Sequence, residues 1–194
     1  MTSLRLITTV GLPSDGDHSQ ISDLAVVTLG GQDRLYATTR YDGIISSWDI
    51  DGVSPAPLDQ LGYAGGLAAG RMGLLATIDT NAGRAMVGGG TANSGLRTYD
   101  LAANGDITTG VGLAGTGGTL GALQDAVTVT LANGNQAIYG ALGGRDGLGH
   151  LTFNGAGGYL NGRVVQDTGA TYAGDVSDVA HLNLGGQDYI YSAS

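Results

Sequence analysis

The sequence predicts an all-β protein built from repeated antiparallel sheets, and three observations support this prediction. Glycine fills 37 of the 194 positions, whereas a typical globular chain has about 7% glycine. All 17 acidic residues are aspartate and all 8 basic residues are arginine, so the glutamate and lysine that usually build exposed helix faces are absent. Finally, one segment of the chain recurs along the sequence. Long helices are therefore not expected.

The recurring segment gives the period of the fold. It reads SDLAVVTLGGQDRLYATT from Ser22 and returns as SDVAHLNLGGQDYIYSAS from Ser177, an offset of 155 residues. Two weaker copies lie between them, one near Leu74 and one from Asp125. Three equal steps over this offset give a repeat of about 52 residues, which is in the range of propeller blades. The sequence therefore predicts a β-propeller-like fold whose blades are four-stranded antiparallel sheets.

An outer strand is predicted before the first repeat, at about residues 4–10, where the chain reads LRLITTV. It resembles the fourth strand of a blade, but no first three strands precede it. We expect it to complete the last blade of the ring, because such closure removes unpaired sheet edges.

The first predicted blade spans about residues 22–64. The apolar run LAVVTL from Leu24 is typical of a strand that is buried on both faces. The turn GGQD from Gly30 has residues that tolerate positive φ, so the chain should return as a hairpin in RLYATT. The third strand ends in SSWDI, which contains Trp48, and LDQLGYA is interpreted as the fourth.

The second and third predicted blades, at about 72–114 and 123–172, repeat this order. Their third strands end in RTYDL and LTFNG, so Tyr99 and Phe153 are expected to take the place of the tryptophan. An aromatic ring at this place would pack between neighbouring blades. Their fourth strands are predicted in DITTGVGLA and in RVVQDTGATYA, which starts at Arg163.

A partial blade at about residues 176–194 holds only two predicted strands. We therefore treat residues 1–194 as a single domain whose ring is incomplete in this chain. Even a four-bladed ring needs more strands than the sequence provides. We expect these residues to be the N-terminal part of a longer protein.

Charge and composition restrict the partners. The formal net charge is −9, and without a basic stripe nucleic acid is not an expected partner. No apolar run approaches the roughly 18 residues of a membrane-spanning helix, so no membrane insertion is expected. Cysteine is absent, which excludes a thiolate zinc site and a cysteine nucleophile. The N-terminal residues lack the features of a Sec-type signal peptide.

Three aspartates are the candidate metal ligands. Asp23, Asp125 and Asp178 align across repeats one, three and four, at the start of the first strand. In a propeller this strand lines the central channel, where a ring of carboxylates would suit calcium. Alternatively, each carboxylate accepts backbone N–H groups in the connecting loop. No catalytic residue and no cofactor-binding residue is predicted, and the three histidines have no metal-ligand spacing.

The segments ISDLAVVTLGGQDRLYATTRYDGIISSWDI and SDVAHLNLGGQDYIYSAS resemble the N-terminal propeller-like region of large bacterial secreted proteins. These proteins belong to the hemolysin-type, or RTX, calcium-binding class. The resemblance implies export by a type I system that reads a C-terminal signal, without an N-terminal signal peptide. It also implies calcium-binding nonapeptides downstream, whereas these residues contain no nonapeptide array.

These observations favour a non-catalytic extracellular module for recognition or adhesion, with a protein or carbohydrate surface as its partner. Calcium is expected mainly through repeats outside this sequence. One alternative is a propeller enzyme of lactonase or quinoprotein type, with a metal or cofactor at the central channel. A second alternative is a WD-like interaction scaffold, because an aromatic residue followed by aspartate resembles the ending of a WD blade.

Overall fold

A computed structural model describes most of the chain from residue 21 onward. The described residues are 21–39, 43–52, 55–61, 72–90, 95–113, 116, 120, 123–142, 146–168 and 174–193. They form 14 strands and no helix, so none of them belongs to a helix able to cross a membrane. The outer strand predicted at 4–10 lies outside the described residues.

The strands form four antiparallel sheets, and in each sheet the strands lie side by side in chain order. Sheet 1 contains β1 (Ile21–Leu29), β2 (Gln32–Thr39), β3 (Ile45–Asp49) and β4 (Ala56–Leu61). Sheet 2 contains β5 (Met72–Thr80), β6 (Gly83–Gly90), β7 (Leu96–Leu101) and β8 (Ile107–Gly112). Sheet 3 contains β9 (Leu123–Thr130), β10 (Gln136–Leu142), β11 (Leu148–Phe153) and β12 (Tyr159–Val165). Sheet 4 contains β13 (Asp178–Leu184) and β14 (Gln187–Ala193). The predicted all-β class with four-stranded antiparallel sheets is confirmed.

The sheets pack on one another in series through their first strands. β5 lies against β1 and β2, β9 lies against β5, and β13 lies against β9 and β10. The first strand of each later sheet thus packs on the first strand of the sheet before it. β5 and β13 also pack on the second strand of that sheet. Within the described part of the chain, no sheet is closed on itself.

The hairpin turns explain why the two best copies of the repeat fold alike. Gly30 and Gly31 have φ values of 59° and 82°, and Gly185 and Gly186 have φ values of 61° and 83°. Two successive residues with positive φ match the twist of a two-residue hairpin and favour glycine. The strands on either side pair antiparallel in both copies, as the sequence predicted.

Two apolar cores hold the first three sheets together. The core between sheets 1 and 2 contains Val27, Leu29, Tyr36, Ile45, Met86, Tyr99, Leu101 and Ile107. The core between sheets 2 and 3 contains Ala76, Ile78, Ala85, Val87, Leu96, Leu113, Leu120, Leu123, Ile138, Leu142, Leu151 and Phe153. A smaller group, Ala141, Val176 and Val179, joins sheets 3 and 4. Burial of apolar area between sheets is therefore the main source of stability in this series.

The aromatic residues of the third strands are all buried but differ in their pairing register. Trp48 and Tyr99 each pair with the fourth residue of the second strand of their sheet. Phe153 instead pairs with the first residue of β10, Gln136. All three rings are nevertheless buried, and Tyr99 and Phe153 each lie in the apolar core between their own sheet and the sheet before it, as the sequence predicted. β11 continues as far as Phe153 because the next turn closes only at Asn154.

The turn at Asn154 also places the fourth strand of sheet 3 earlier in the chain than predicted. The Asn154 side chain accepts the N–H groups of Ala156 and Gly158, over 3.0 and 2.8 Å. The chain therefore reverses at once, and β12 begins at Tyr159 rather than at Arg163. The predicted strand overlaps β12 only in its first three residues.

The first strand of sheet 1 differs from its prediction in burial. Val27 and Leu29 are buried beneath sheet 2, whereas Leu24 and Val26 point to the opposite face and are exposed. Side chains alternate between the two faces of a strand, so β1 is covered on one face only. The prediction that it is buried on both faces was wrong for the described residues.

Candidate functional site

The structure brings together two of the three aspartates singled out by the sequence. Asp125 lies in β9 beside an irregularity in the pairing with β10, and Asp178 is the first residue of β13. The Asp125 carboxylate accepts the N–H of Val179 over 2.8 Å. This hydrogen bond crosses the interface between sheets 3 and 4. The Asp178 carboxyl is the acidic neighbour of Asp125 at this interface. We call Asp125 and Asp178 the carboxyl pair.

Within the carboxyl pair, Asp125 holds its proton to higher pH than an isolated aspartate. Burial, opposed by the N–H of Val179, raises the pKa of Asp125, and the neighbouring Asp178 carboxyl raises this pKa further. Two neighbouring carboxylates repel each other when both are ionised, and this repulsion adds to the effect of burial on Asp125. The pair is thus suited to accept a backbone N–H and a proton.

The third aspartate is used locally. Asp23 lies at a register shift between β1 and β2, and its carboxylate accepts the N–H of Leu24 over 2.8 Å. No group of three or more metal-ligating side chains converges anywhere in the described part of the chain. The arrangement of Asp23 and Asp125 therefore agrees with the alternative in which these carboxylates accept backbone N–H groups.

Polar bridges of the same kind join the other sheets, and we call them inter-sheet clamps. The Asp59 carboxylate of sheet 1 accepts the N–H of Ile107 in sheet 2 over 2.8 Å. Gln136 of sheet 3 accepts the N–H of Asp79 in sheet 2 over 2.7 Å and donates to the Asp79 carbonyl over 2.8 Å. Asp125 is the equivalent clamp between sheets 3 and 4. Each clamp satisfies a backbone group that would otherwise lose its hydrogen bond at the interface.

A histidine group lies on the side of sheet 3 that faces sheet 4. The ring of His150 stacks on that of Tyr139, with centroids 4.7 Å apart and planes at 15°. Arg163 Nε donates to His150 Nδ1 over 3.0 Å. Burial, together with the Arg163 guanidinium, lowers the pKa of His150. The imidazole is therefore neutral at pH 7, with its proton on Nε2.

Sequence reasoning missed the clamp residue Gln136 and the Tyr139, His150 and Arg163 group. The sequence did not indicate the role of Gln136, because the partners of its side chain are backbone groups of another sheet. The pairing of Tyr139 with His150, and of His150 with Arg163, follows from the register of β10, β11 and β12. Of the other histidines, His18 lies outside the described residues, and His181 lies 2.8 Å from the Asp188 carboxylate.

Comparisons with protein families and with curated proteins find no match to this chain. The resemblance to the hemolysin-type class therefore stays a prediction, and the function has to be inferred from the geometry and the sequence.

The carboxyl pair predicts a pH-dependent stability. Because the pKa of Asp125 is raised above the ordinary value of 3.8, this group favours folding at acid pH and loses that contribution as pH rises through its folded-state pKa. The variant Asp125→Asn keeps an acceptor for the Val179 N–H and removes the repulsion. We expect its advantage over the wild type to grow as pH rises above about 4.

Urea unfolding across this pH range measures the effect. The matched control is Asp146→Asn, which changes an exposed carboxylate and should leave the difference from wild type independent of pH. A wild type that gains stability over Asp125→Asn as pH rises would contradict the raised pKa of Asp125.

Proposed function

We propose that these residues form a β-propeller-like module with a non-catalytic recognition or adhesion role. In this proposal the module belongs to a secreted, hemolysin-type calcium-binding protein. The observation that carries the first part is the serial packing of equivalent sheets through their first strands. In a propeller the first strand of each blade lies nearest the axis, and neighbouring blades meet there.

The recognition role is supported by what the series of sheets offers to solvent. Apolar cores and inter-sheet clamps hold the sheets together, so loops and outer strands are presented from a fixed scaffold. Binding residues are often located on loops that a rigid scaffold positions. A protein or a carbohydrate surface is the partner that we propose.

Calcium enters this proposal mainly through repeats downstream of the sequence. Within the described residues, Asp23 and Asp125 already accept backbone N–H groups. A calcium site needs about six to eight oxygen ligands, and these two carboxylates lie in different sheets. We therefore propose little calcium binding by residues 1–194 themselves.

The carboxyl pair favours one alternative, an enzyme of lactonase or quinoprotein type. Two carboxyl groups of which one has a raised pKa are a pattern used for acid and base catalysis. The pair lies at the start of the first strands β9 and β13, the region that would face the channel of a propeller. In this alternative Asp125 holds the proton that is transferred, and Asp178 is its acidic neighbour.

A binding assay and an activity assay together separate the two functions. Purified protein is applied to a glycan array and to a panel of extracellular-matrix proteins, and it is also assayed for lactone hydrolysis and quinone-dependent sugar oxidation. We expect saturable binding on one panel, equal for the wild type and for Asp178→Ala. Turnover that Asp178→Ala abolishes and Asp146→Ala preserves would establish the enzyme, and the absence of binding on both panels would also count against recognition.

A further inference from the structure

A cavity of about 350 Å³ opens between sheets 2 and 3, and we call it the sheet 2–3 cleft. Its lining comes from the hairpin of β5 and β6, from β7 and β8, and from the turn that leads into β12. Ligand pockets in proteins have volumes of about 300–1,000 Å³. The cleft is therefore large enough to receive a side chain of a partner.

The repeat gives the residues of this cleft their counterparts in sheet 1. Arg34 pairs with Asp49 across β2 and β3, and Ala85 pairs with Asp100 across β6 and β7. The two pairs are 51 residues apart in the sequence, which is about one repeat. Ala85 therefore stands where sheet 1 has an arginine, and Asp100 stands where sheet 1 has an aspartate.

In sheet 1 the arginine fills the interface with sheet 2. Arg34 is only 4% exposed, and it lies opposite Val27 of the apolar core between these two sheets. Its Nη1 lies 3.1 Å from Asp49 Oδ1. Asp100 lines the sheet 2–3 cleft, and no cationic side chain of the described residues forms an ion pair with it. The cleft thus holds a carboxylate whose counterpart is paired with a buried guanidinium.

A second side chain that fills the earlier interface is also missing from the cleft. β4 and β8 are in the same register, because the N–H groups of Asp59 and Val111 each donate to a hydroxyl side chain of the preceding strand. Leu58 therefore corresponds to Gly110. The Leu58 side chain lies against Gly105 of sheet 2 and leaves no room there for a Cβ. The cleft is thus the space that an arginine and a leucine occupy between sheets 1 and 2.

Sheet 3 contributes an aromatic ring to the cleft. The turns before β8 and β12 are equivalent, because the N–H groups of Gly105 and Gly157 each donate to the carbonyl three residues earlier. Tyr159 therefore corresponds to Ile107. Tyr159 is half-buried and lines the cleft. A guanidinium is attracted to the face of a tyrosine ring and can stack on it, which an isoleucine does not offer.

We propose that the sheet 2–3 cleft binds an arginine side chain of a partner protein. The guanidinium pairs with the Asp100 carboxylate and stacks on the Tyr159 ring, and its alkyl stem lies over Ala85. The formal net charge of −9 also attracts cationic partners to the chain. This inference rests on the proposed recognition function, and it names an arginine-bearing protein surface, rather than a carbohydrate, as the partner.

A peptide titration followed by NMR tests the site in the full chain. The probe is a short peptide with one arginine between glycines, and the comparison peptides carry lysine or the uncharged citrulline in its place. We expect saturable shifts of the Asn81, Asp100 and Tyr159 amides with the arginine peptide. The lysine peptide should bind more weakly, because an ammonium lacks the planar fork of the guanidinium, and the citrulline peptide should not bind.

Two variants and one control locate the contact. Asp100→Asn keeps the shape of the side chain and removes its charge, so it should weaken binding of the arginine peptide about tenfold or more. Ala85→Arg supplies a guanidinium from the chain itself, as in sheet 1, and should block the cleft. Asp146→Asn changes an exposed carboxylate outside the cleft and should bind as the wild type does. Asp100 is also exposed, so Asp100→Asn tests the site even where Ala85→Arg disturbs the packing.

Three outcomes would overturn the proposal: cleft amides that do not shift, equal binding of the arginine and citrulline peptides, or binding that Asp100→Asn leaves unchanged. The glycan and matrix-protein panels separate such a failure from failure of the recognition function. Saturable panel binding that Asp100→Asn leaves unchanged would keep the recognition role and exclude this cleft as its site. Arginine binding in the cleft without binding on either panel would keep the site and count against the recognition role.

Discussion

Phe153→Ala should lower the free energy of unfolding by about 3–5 kcal/mol, the range found when a buried phenylalanine is truncated. Phe153 is fully buried between sheets 2 and 3, and its ring centroid lies 5.7 Å from that of Tyr159. Removing the ring deletes buried apolar area and leaves a cavity that neighbouring strands fill only in part. Urea unfolding followed by circular dichroism measures the loss.

Two further variants keep this prediction testable where the alanine variant is poorly folded. Phe153→Leu retains much of the buried volume and should lose clearly less stability than Phe153→Ala. Leu160→Ala removes an exposed side chain of sheet 3 and should change stability by no more than about 0.5 kcal/mol. Equal losses at positions 153 and 160 would contradict the packing of sheet 3 on sheet 2.

Gln136→Ala should lower the free energy of unfolding by about 2 kcal/mol, although it removes no apolar contact as large as the one lost in Phe153→Ala. The Gln136 amide makes two hydrogen bonds to the backbone of Asp79 in the neighbouring sheet, and the Gln136 side chain is buried. Each such bond contributes about 1 kcal/mol, and the partner left behind loses its hydrogen bond at the interface.

The control for this clamp is Gln124→Ala, at an exposed position of the adjacent strand β9. Thermal unfolding of the two variants should differ clearly, with the midpoint of Gln136→Ala the lower. Hydrogen exchange gives a second measurement, because the Asp79 amide should exchange faster in Gln136→Ala alone. An unchanged Asp79 amide would show that Gln136 does not bridge the sheets in solution.

The parts of the fold that depend on local chemistry were predictable from the sequence. Successive glycines at Gly30 and Gly185 specify two-residue hairpins, and the strands beside them follow from β-branched and apolar runs. The fourth strand of sheet 3 was placed too late, although the glycine-rich run NGAGG from Asn154 marks the turn that the Asn154 side chain closes. The burial of Tyr99 and Phe153 between neighbouring sheets was predictable from the aromatic residue near the end of each third strand.

Relations between sheets were much less predictable. The alignment of Asp23, Asp125 and Asp178 was visible in the sequence, but it did not show that only Asp125 and Asp178 meet. Their contact exists because β13 lies against β9, whereas Asp23 belongs to a sheet on the far side of sheet 2. Gln136 was missed because a side chain that bonds to a distant backbone leaves no periodic pattern.

Sheets 1 to 4 pack in series through their first strands, and distances between spin labels test this packing most directly. The sequence has no cysteine, so single cysteines can carry nitroxides at three exposed hairpin positions, Ala82 in sheet 2, Ala132 in sheet 3 and Gln187 in sheet 4. Serial packing predicts that the 82–132 and 132–187 distances are similar and that the 82–187 distance is the longest of the three. An 82–187 distance shorter than either of the others would contradict the order of the sheets.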